Sequence, residues 1–271
     1  MRTRLLAPLL ITFALMFVGC SPQSEIGSTQ EKEETLHITD QESPVPSNIP
    51  EIETSSPLFF WGQTNGTLGS GCGTDSGYYY WCETDSTHAN LWYADYNEQA
   101  TTPLCSRPDC LHVDETCTSW LGWRGGYPQI ATNGENLILV YSNTSAAYFD
   151  QYQDAALANI QVMNLDGSEK NSILTLPTNQ DIQLGVACDE SHVYIITATQ
   201  NQASTIEMEL CSISFEDGTL RSLYSLPKGS SFIAGVSDRM IIIKTFTEPD
   251  GGSLYSDDDQ QIISCVDVDT G

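Results

Sequence analysis

One phrase recurs along this chain and limits what it can fold into. It is fullest between Asn133 and Pro177. An Asn133-Gly134 turn leads into the apolar run Leu137 to Tyr141, and a spacer separates this from a second run, Ile160 to Met163. A turn at Asp166-Gly167 and a short run Ile173 to Leu176, stopped by Pro177, complete it. The same grammar returns as Asp189-Glu190, Val193 to Ile196, Leu210 to Phe215, Asp217-Gly218 and Leu223 to Leu226 before Pro227. It begins again at Ser237-Asp238 with Met240 to Ile243, then Ile262 to Val268 and Thr270-Gly271. Aromatic and β-branched runs bounded by Gly, Asn and Asp are strands joined by tight turns. Self-similar four-strand units repeating at about 50 residues predict stacked propeller blades.

Upstream, Gly71 to Cys82 matches Gly185 to Ile196, with Tyr78 to Trp81 standing where His192 to Ile195 stand. Leu91 to Ala94, a turn at Asp95-Tyr96-Asn97 and Thr101 to Leu104 finish this first unit. The expected fold class is therefore all-β, a propeller of four-stranded blades over 58–271, incomplete, with about four units visible. The fourth stops at Val268-Asp269-Thr270-Gly271, where its siblings turn into a last strand, so a fragment of a longer ring is favoured over a four-bladed one. Leu58 to Trp61 is expected to pair with the last blade and close the ring, or else to pack as a plug on the first blade.

The N-terminus reads as an address. Arg2 and Arg4 precede an uncharged apolar run from Leu5 to Val18, short for a membrane span and suited to a signal peptide. The run ends in Phe17-Val18-Gly19-Cys20-Ser21, which resembles the lipobox of bacterial lipoproteins. Val18, Gly19 and Cys20 match, and Phe17 stands where Leu is usual. The resemblance implies cleavage after residue 19, acylation of Cys20, and a lipid anchor on the extracytoplasmic face of the cell membrane. Residues 20–57 are rich in Ser, Thr, Glu and Pro without periodicity, so they predict a disordered, charge-extended acidic tether.

Charge narrows the partners. Thirty-six acidic residues against 10 basic ones give a formal −26, a surface that repels nucleic acid and anionic headgroups. A protein, peptide or glycan ligand remains compatible with it.

Chemistry is concentrated in the insertion at 105–127. Cys105, Cys110, His112 and Cys117 together supply a tetrahedral Zn²⁺ ligand set by type, but their spacing matches no common zinc motif. Exported cysteines tend to pair. A disulfide staple reaching Cys72 or Cys82 is therefore the expected arrangement, with Zn²⁺ or unpaired structural thiols the alternatives and no other cofactor anticipated. The segment also resembles a P-L-C-x-x-P-D-C-x-H-x-x-x-x-C element of uncharacterised propeller-like lipoproteins of Gram-positive bacteria. Pro103, Leu104, Cys105, Pro108, Asp109, Cys110, His112 and Cys117 match it. That resemblance implies no particular activity.

No catalytic residue is assigned. Nucleophile-elbow, zincin, phosphate-loop and dinucleotide motifs are missing from the sequence. His37 lies in the tether, and His88 and His192 are expected at surfaces or turns. Asp257 to Asp259 and Asp267-x-Asp269 are read as turn residues rather than a calcium loop, which would need a terminal Glu. These features predict a lipid-anchored binding or scaffolding module. The alternatives are the non-catalytic part of a longer propeller-containing hydrolase, or an envelope-assembly factor.

Overall fold

The run Leu137 to Tyr141 is buried along its whole length, and the reason is two-sided packing. Leu137, Leu139 and Tyr141 point into one apolar layer, and Ile138 and Val140 into the next. Successive side chains of a strand face opposite ways, so a strand sandwiched between neighbours has no polar face and reads as continuous apolar sequence. Val193 and Ile195 against Tyr194 and Ile196 repeat this arrangement.

The computed structural model describes residues 56–61, 71–85, 88–122, 128–143, 157–203, 205–247 and 260–271. The expected signal segment 1–19, Cys20, His37, nearly all of the tether, residues 123–127 of the insertion and Asp257 to Asp259 lie outside them. Eighteen strands are formed: β1 (Phe59–Trp61), β2 (Gly71–Gly73), β3 (Gly77–Asp85), β4 (His88–Asp95), β5 (Ala100–Pro103), β6 (Trp120–Gly122), β7 (Gln129–Thr132), β8 (Asn136–Tyr141) and β9 (Asn159–Asn164). They continue with β10 (Asn171–Thr175), β11 (Gln180–Ile182), β12 (Val186–Cys188), β13 (His192–Gln200), β14 (Ile206–Ser214), β15 (Leu220–Ser225), β16 (Ser230–Ser237), β17 (Met240–Thr247) and β18 (Gln260–Asp267).

These strands make four antiparallel sheets: β2-β3-β4-β5 with β6, then β7 to β10, then β12 to β15 with β1 and β11, and last β16 to β18. Apart from β1, β6 and β11, the strands within each sheet follow chain order. The inner strands β2, β7, β12 and β16 touch in succession, and one apolar layer fills each of the three interfaces. No comparable contact joins the fourth sheet to the first among the described residues. The fold is all-β, a β-propeller of four-stranded blades whose ring is open.

Turn chemistry is repeated blade by blade. Asn133 and Asp189 accept backbone N–H groups two and three residues on in the turns between inner strands. Asp95, Asp166, Asp217 and Asp267 do the same work after the third strand of each blade. These side chains mimic a backbone acceptor, which is why Asn and Asp recur there. Asp267 and Asp269 are thus employed in a turn and an ion pair. Gly167 and Gly218 take positive φ, and each lies against a carbonyl of the preceding blade's outer strand region, Leu104 O and Ile173 O respectively.

Two expectations need correction. β1 neither closes the ring through the last blade nor plugs the first. It pairs antiparallel with β12 in the third sheet, Phe60 opposite Ala187. That position covers the inner edge of β12 and lets Trp61 Nε1 donate to Thr132 O at 2.9 Å, across to the second sheet. His88 is buried at the start of β4 and stacks on Trp120 with ring centroids 3.9 Å apart. Burial of its ring between strands removes it from the surface.

Candidate metal centre

Leu91 brings the ends of the cysteine insertion together. Its carbonyl accepts Leu104 N–H at 2.8 Å, and its own N–H donates to Ser119 O at 2.8 Å. β5 pairs with the later half of β4 and β6 with the earlier half. Residues 104–119 are therefore an excursion from what would otherwise be one outer strand, and the excursion carries every candidate ligand.

Inside the loop, local turns aim the side chains. Thr116 N–H and Oγ1 both donate to Asp114 Oδ1, Cys117 N–H bonds to Asp114 O, and Trp120 N–H bonds to Cys117 O. These consecutive turns direct Cys117 inward, where it is buried. Asp109 and His112 adopt φ of 59° and 58°, a conformation uncommon outside Gly. Asn90 Nδ2 holds the His112 carbonyl at 2.9 Å, and the Arg107 guanidinium ties to Thr116 O. From the second sheet, Lys170 Nζ donates to Thr118 O at 3.3 Å and Trp120 O at 3.0 Å.

The four predicted ligands converge. One donor atom from each of Cys105, Cys110, His112 and Cys117 lies within 4.8 Å of all the others. His112 Nδ1 is 3.2 Å from Cys117 Sγ, which in turn is 3.0 Å from the hydroxyl of buried Ser119. Zn–S bonds of about 2.3 Å at tetrahedral angles set sulfurs roughly 3.8 Å apart. The set fits a single metal ion after a contraction of about 1 Å or less. Burial pushes the Cys105 thiol up, but the Arg107 amide and the neighbouring thiols outweigh it and bring it to about 7. Burial raises Cys117, and the other two cysteines add to the rise.

The expected staple to Cys72 or Cys82 is not the arrangement found. All eight described cysteines are free thiols. Cys72 is packed in the apolar layer between the first two sheets, and exposed Cys82 turns to Glu83 O at 3.6 Å. Insertion cysteines face one another instead. Asn90, Ser119 and Lys170, which support the loop, were not singled out in the sequence; only the closeness of Ser119 to Cys117 hinted at any of them. Elsewhere, His192 Nδ1 meets Ser191 Oγ at 2.8 Å, but Asp189 is occupied by the turn, Tyr194 and Arg239, so no hydrolytic triad forms.

No protein-family model matches this chain, and no curated protein matches it. Solved structures do match. One is the β-propeller domain of the Trilobed protease from Pyrococcus furiosus, 10% identical over 76% of this chain and 55% of that one, with a TM-score of 0.44. Another is TolB from Acinetobacter baumannii, 12% identical over 80% of this chain and 42% of that one, with a TM-score of 0.38. An oligogalacturonate lyase in complex with manganese is 12% identical over 68% and 62%, with a TM-score of 0.31. The chain spans between 42% and 62% of the length of these structures.

Proposed function

We propose that this protein is an extracytoplasmic lipoprotein, held to the membrane through Cys20, whose propeller blades act as a binding or scaffolding module for a protein, peptide or glycan. Support comes from the disposition of turns. Tyr96 N–H bonds to Ser76 O, Phe215 N–H to Ser191 O, and Val268 N–H to Arg239 O. These bonds bring the inner and outer turns of three sheets to the same end, on a packed core. Such an end is a rigid surface for recognition. It carries exposed Asp75, Glu135, Asp166, Glu190, Asp217 and Asp238, so it disfavours nucleic acid. Three thiols and one imidazole suit Zn²⁺ better than the oxygen-seeking cations, and Zn²⁺ is the ion assigned to the insertion.

Fatty-acid metabolic labelling with membrane fractionation tests the anchor. The intact chain is expected to label and sediment with membranes, and Cys20→Ala to do neither. A Cys20→Ala chain that still fractionates as a correctly trimmed membrane protein overturns the lipoprotein reading.

A further inference from the structure

The ends of the excursion are 104 and 119, and both are fastened through their backbones to Leu91. Beyond that clasp, β6 pairs with β4 over only three residues, His88 opposite Gly122 to Asn90 opposite Trp120. Short edge pairings of this kind are weak. The sequence between the fastened ends offers little apolar burial: Leu111 is 81% exposed and Val113 is 59% exposed. Yet the loop is held in a specific form, with two non-glycine residues at positive φ on either side of Cys110. Hydrophobic packing does not account for that order; the hydrogen bonds of Asp114, Asn90, Arg107 and Lys170 shape the loop, and the result is the inward convergence of four ligand atoms.

We infer that the insertion is a closed structural metal site, in which one Zn²⁺ bound by the sulfurs of Cys105, Cys110 and Cys117 and by His112 Nδ1 holds β6 on the first blade. This rests on the zinc assignment above and adds a role to it. Three thiolates and one imidazole fill a tetrahedron, so no position is left for water or substrate and the ion is not a catalyst. Cys110 and His112, two residues apart, each bring a ligand atom to the cluster. Nδ1 is named because it already lies 3.2 Å from Cys117 Sγ. Supporting groups are in place as metal sites require: Ser119 Oγ at 3.0 Å from Cys117 Sγ, and Asn90 on the His112 carbonyl. Ser119 and Asn90 are both buried and belong to the clasp itself, so metal binding and strand pairing are mechanically linked. Because the ligands must be deprotonated and assembled, the binding energy becomes folding energy of this loop.

The experiment uses the full chain, purified with its metal and with thiols kept reduced. Metal analysis is expected to give one equivalent of zinc, and Co²⁺ substitution the spectrum of a tetrahedral thiolate site. Cys110→Ser and His112→Ala should each weaken metal binding more than about tenfold, His112→Cys should restore it, and Cys82→Ser should leave it unchanged. Hydrogen exchange then reads the role. Chelation is expected to expose the amides of Leu91 and of residues 119–122 while those of β8 and β13 stay protected. Zinc present but exchange unchanged on chelation overturns the structural role and leaves the zinc assignment standing. Free thiols without metal, or a disulfide mapped within Cys105, Cys110 and Cys117, overturns both.

Discussion

Arg239 places Nη1 3.0 Å from Asp189 Oδ2, joining the turn of the fourth blade to the turn of the third. Asp189 is buried, and it is saturated. Tyr194 Oη donates to the same oxygen at 2.7 Å, and the amides of Ser191 and His192 bind the other. Arg239 also forks onto Asp269, with Nη2 at 2.8 Å from Oδ1, and its Nη1 reaches Ser56 O at 2.8 Å. One guanidinium therefore gathers two blades and the segment that leads into β1.

Removing it should leave a buried carboxylate short of its counter-charge, the circumstance in which ion pairs matter most. Arg239→Met is expected to lower stability by about 2–3 kcal/mol, measured by urea unfolding. Asp189→Asn should cost a similar amount, and the double variant less than the sum, with a coupling of about 1–2 kcal/mol. Simple additivity would show that the two side chains act independently.

Acid should unfold the protein through the same group. Burial pushes the Asp189 carboxyl up, but Tyr194, the turn amides and Arg239 outweigh burial and hold it below the usual range. Hydrogen bonds from Arg239 lower Asp269, and turn hydrogen bonds from Ser168 and Thr219 lower Asp166 and Asp217. A carboxyl whose folded pKa lies below its unfolded value gives stability that is present above about pH 4 and lost as pH falls through the folded value. Asp181 works in reverse, because burial raises it. Relief of the repulsion behind a net charge of −26 also favours mild acidification. Stability is expected to hold or rise slightly from pH 7 to about 5 and to fall below about 4. Asp189→Asn should flatten that acid limb, and thermal melts across the range check both features.

Much of the fold was legible because turns and strands carry different chemistry. The Asx acceptors and the Asp-Gly pairs at 166–167 and 217–218 mark blade periods, and runs such as Leu137 to Tyr141 announce strands buried on both faces. Two of the three-residue strands were not legible. β6 and β11 have no period to read and exist because β4 and β13 offer partners at their edges. β1 was visible as a strand but not as a partner of β12, since pairing across more than a hundred residues leaves no local trace. At the metal centre the ligand types were plain, whereas their convergence depends on Leu91, Asn90 and Ser119, ordinary residues brought together by sheet register.

Blade-to-blade contact makes a further prediction at Gly218. Its φ is +68°, and an added Cβ would sit 2.1 Å from Ile173 O on the preceding blade. Gly134 has φ +92° with nothing within 4 Å of its Cβ position. Gly134→Ala is expected to cost about 1 kcal/mol, the left-handed backbone penalty alone. Gly218→Ala must add displacement of a backbone carbonyl and should exceed about 2 kcal/mol. Equal costs in denaturant unfolding would mean that the contact between turn and neighbouring blade yields freely.

The inner strand offers the last test, because β1 could be either a seal or an accessory. Trp61 packs against the apolar layers on both sides of the second blade. Its Nε1 shares Thr132 O with the Cys188 thiol, at 2.9 and 3.3 Å. Leu58, at the other end, joins the layer between the third and fourth blades. β1 therefore touches all three interfaces while covering the exposed backbone edge of β12. Half-buried Trp61 should cost less than a fully buried aromatic on truncation, about 2–3 kcal/mol for Trp61→Ala. Trp61→Phe retains most of the ring and loses the hydrogen bond, so about 1 kcal/mol is expected. If β1 is a seal, Trp61→Ala should also speed hydrogen exchange in β12 and β7, which β1 lies against, before β18, which pairs with β17. Uniform acceleration across all four sheets would instead mark β1 as one more contributor to a single cooperative core.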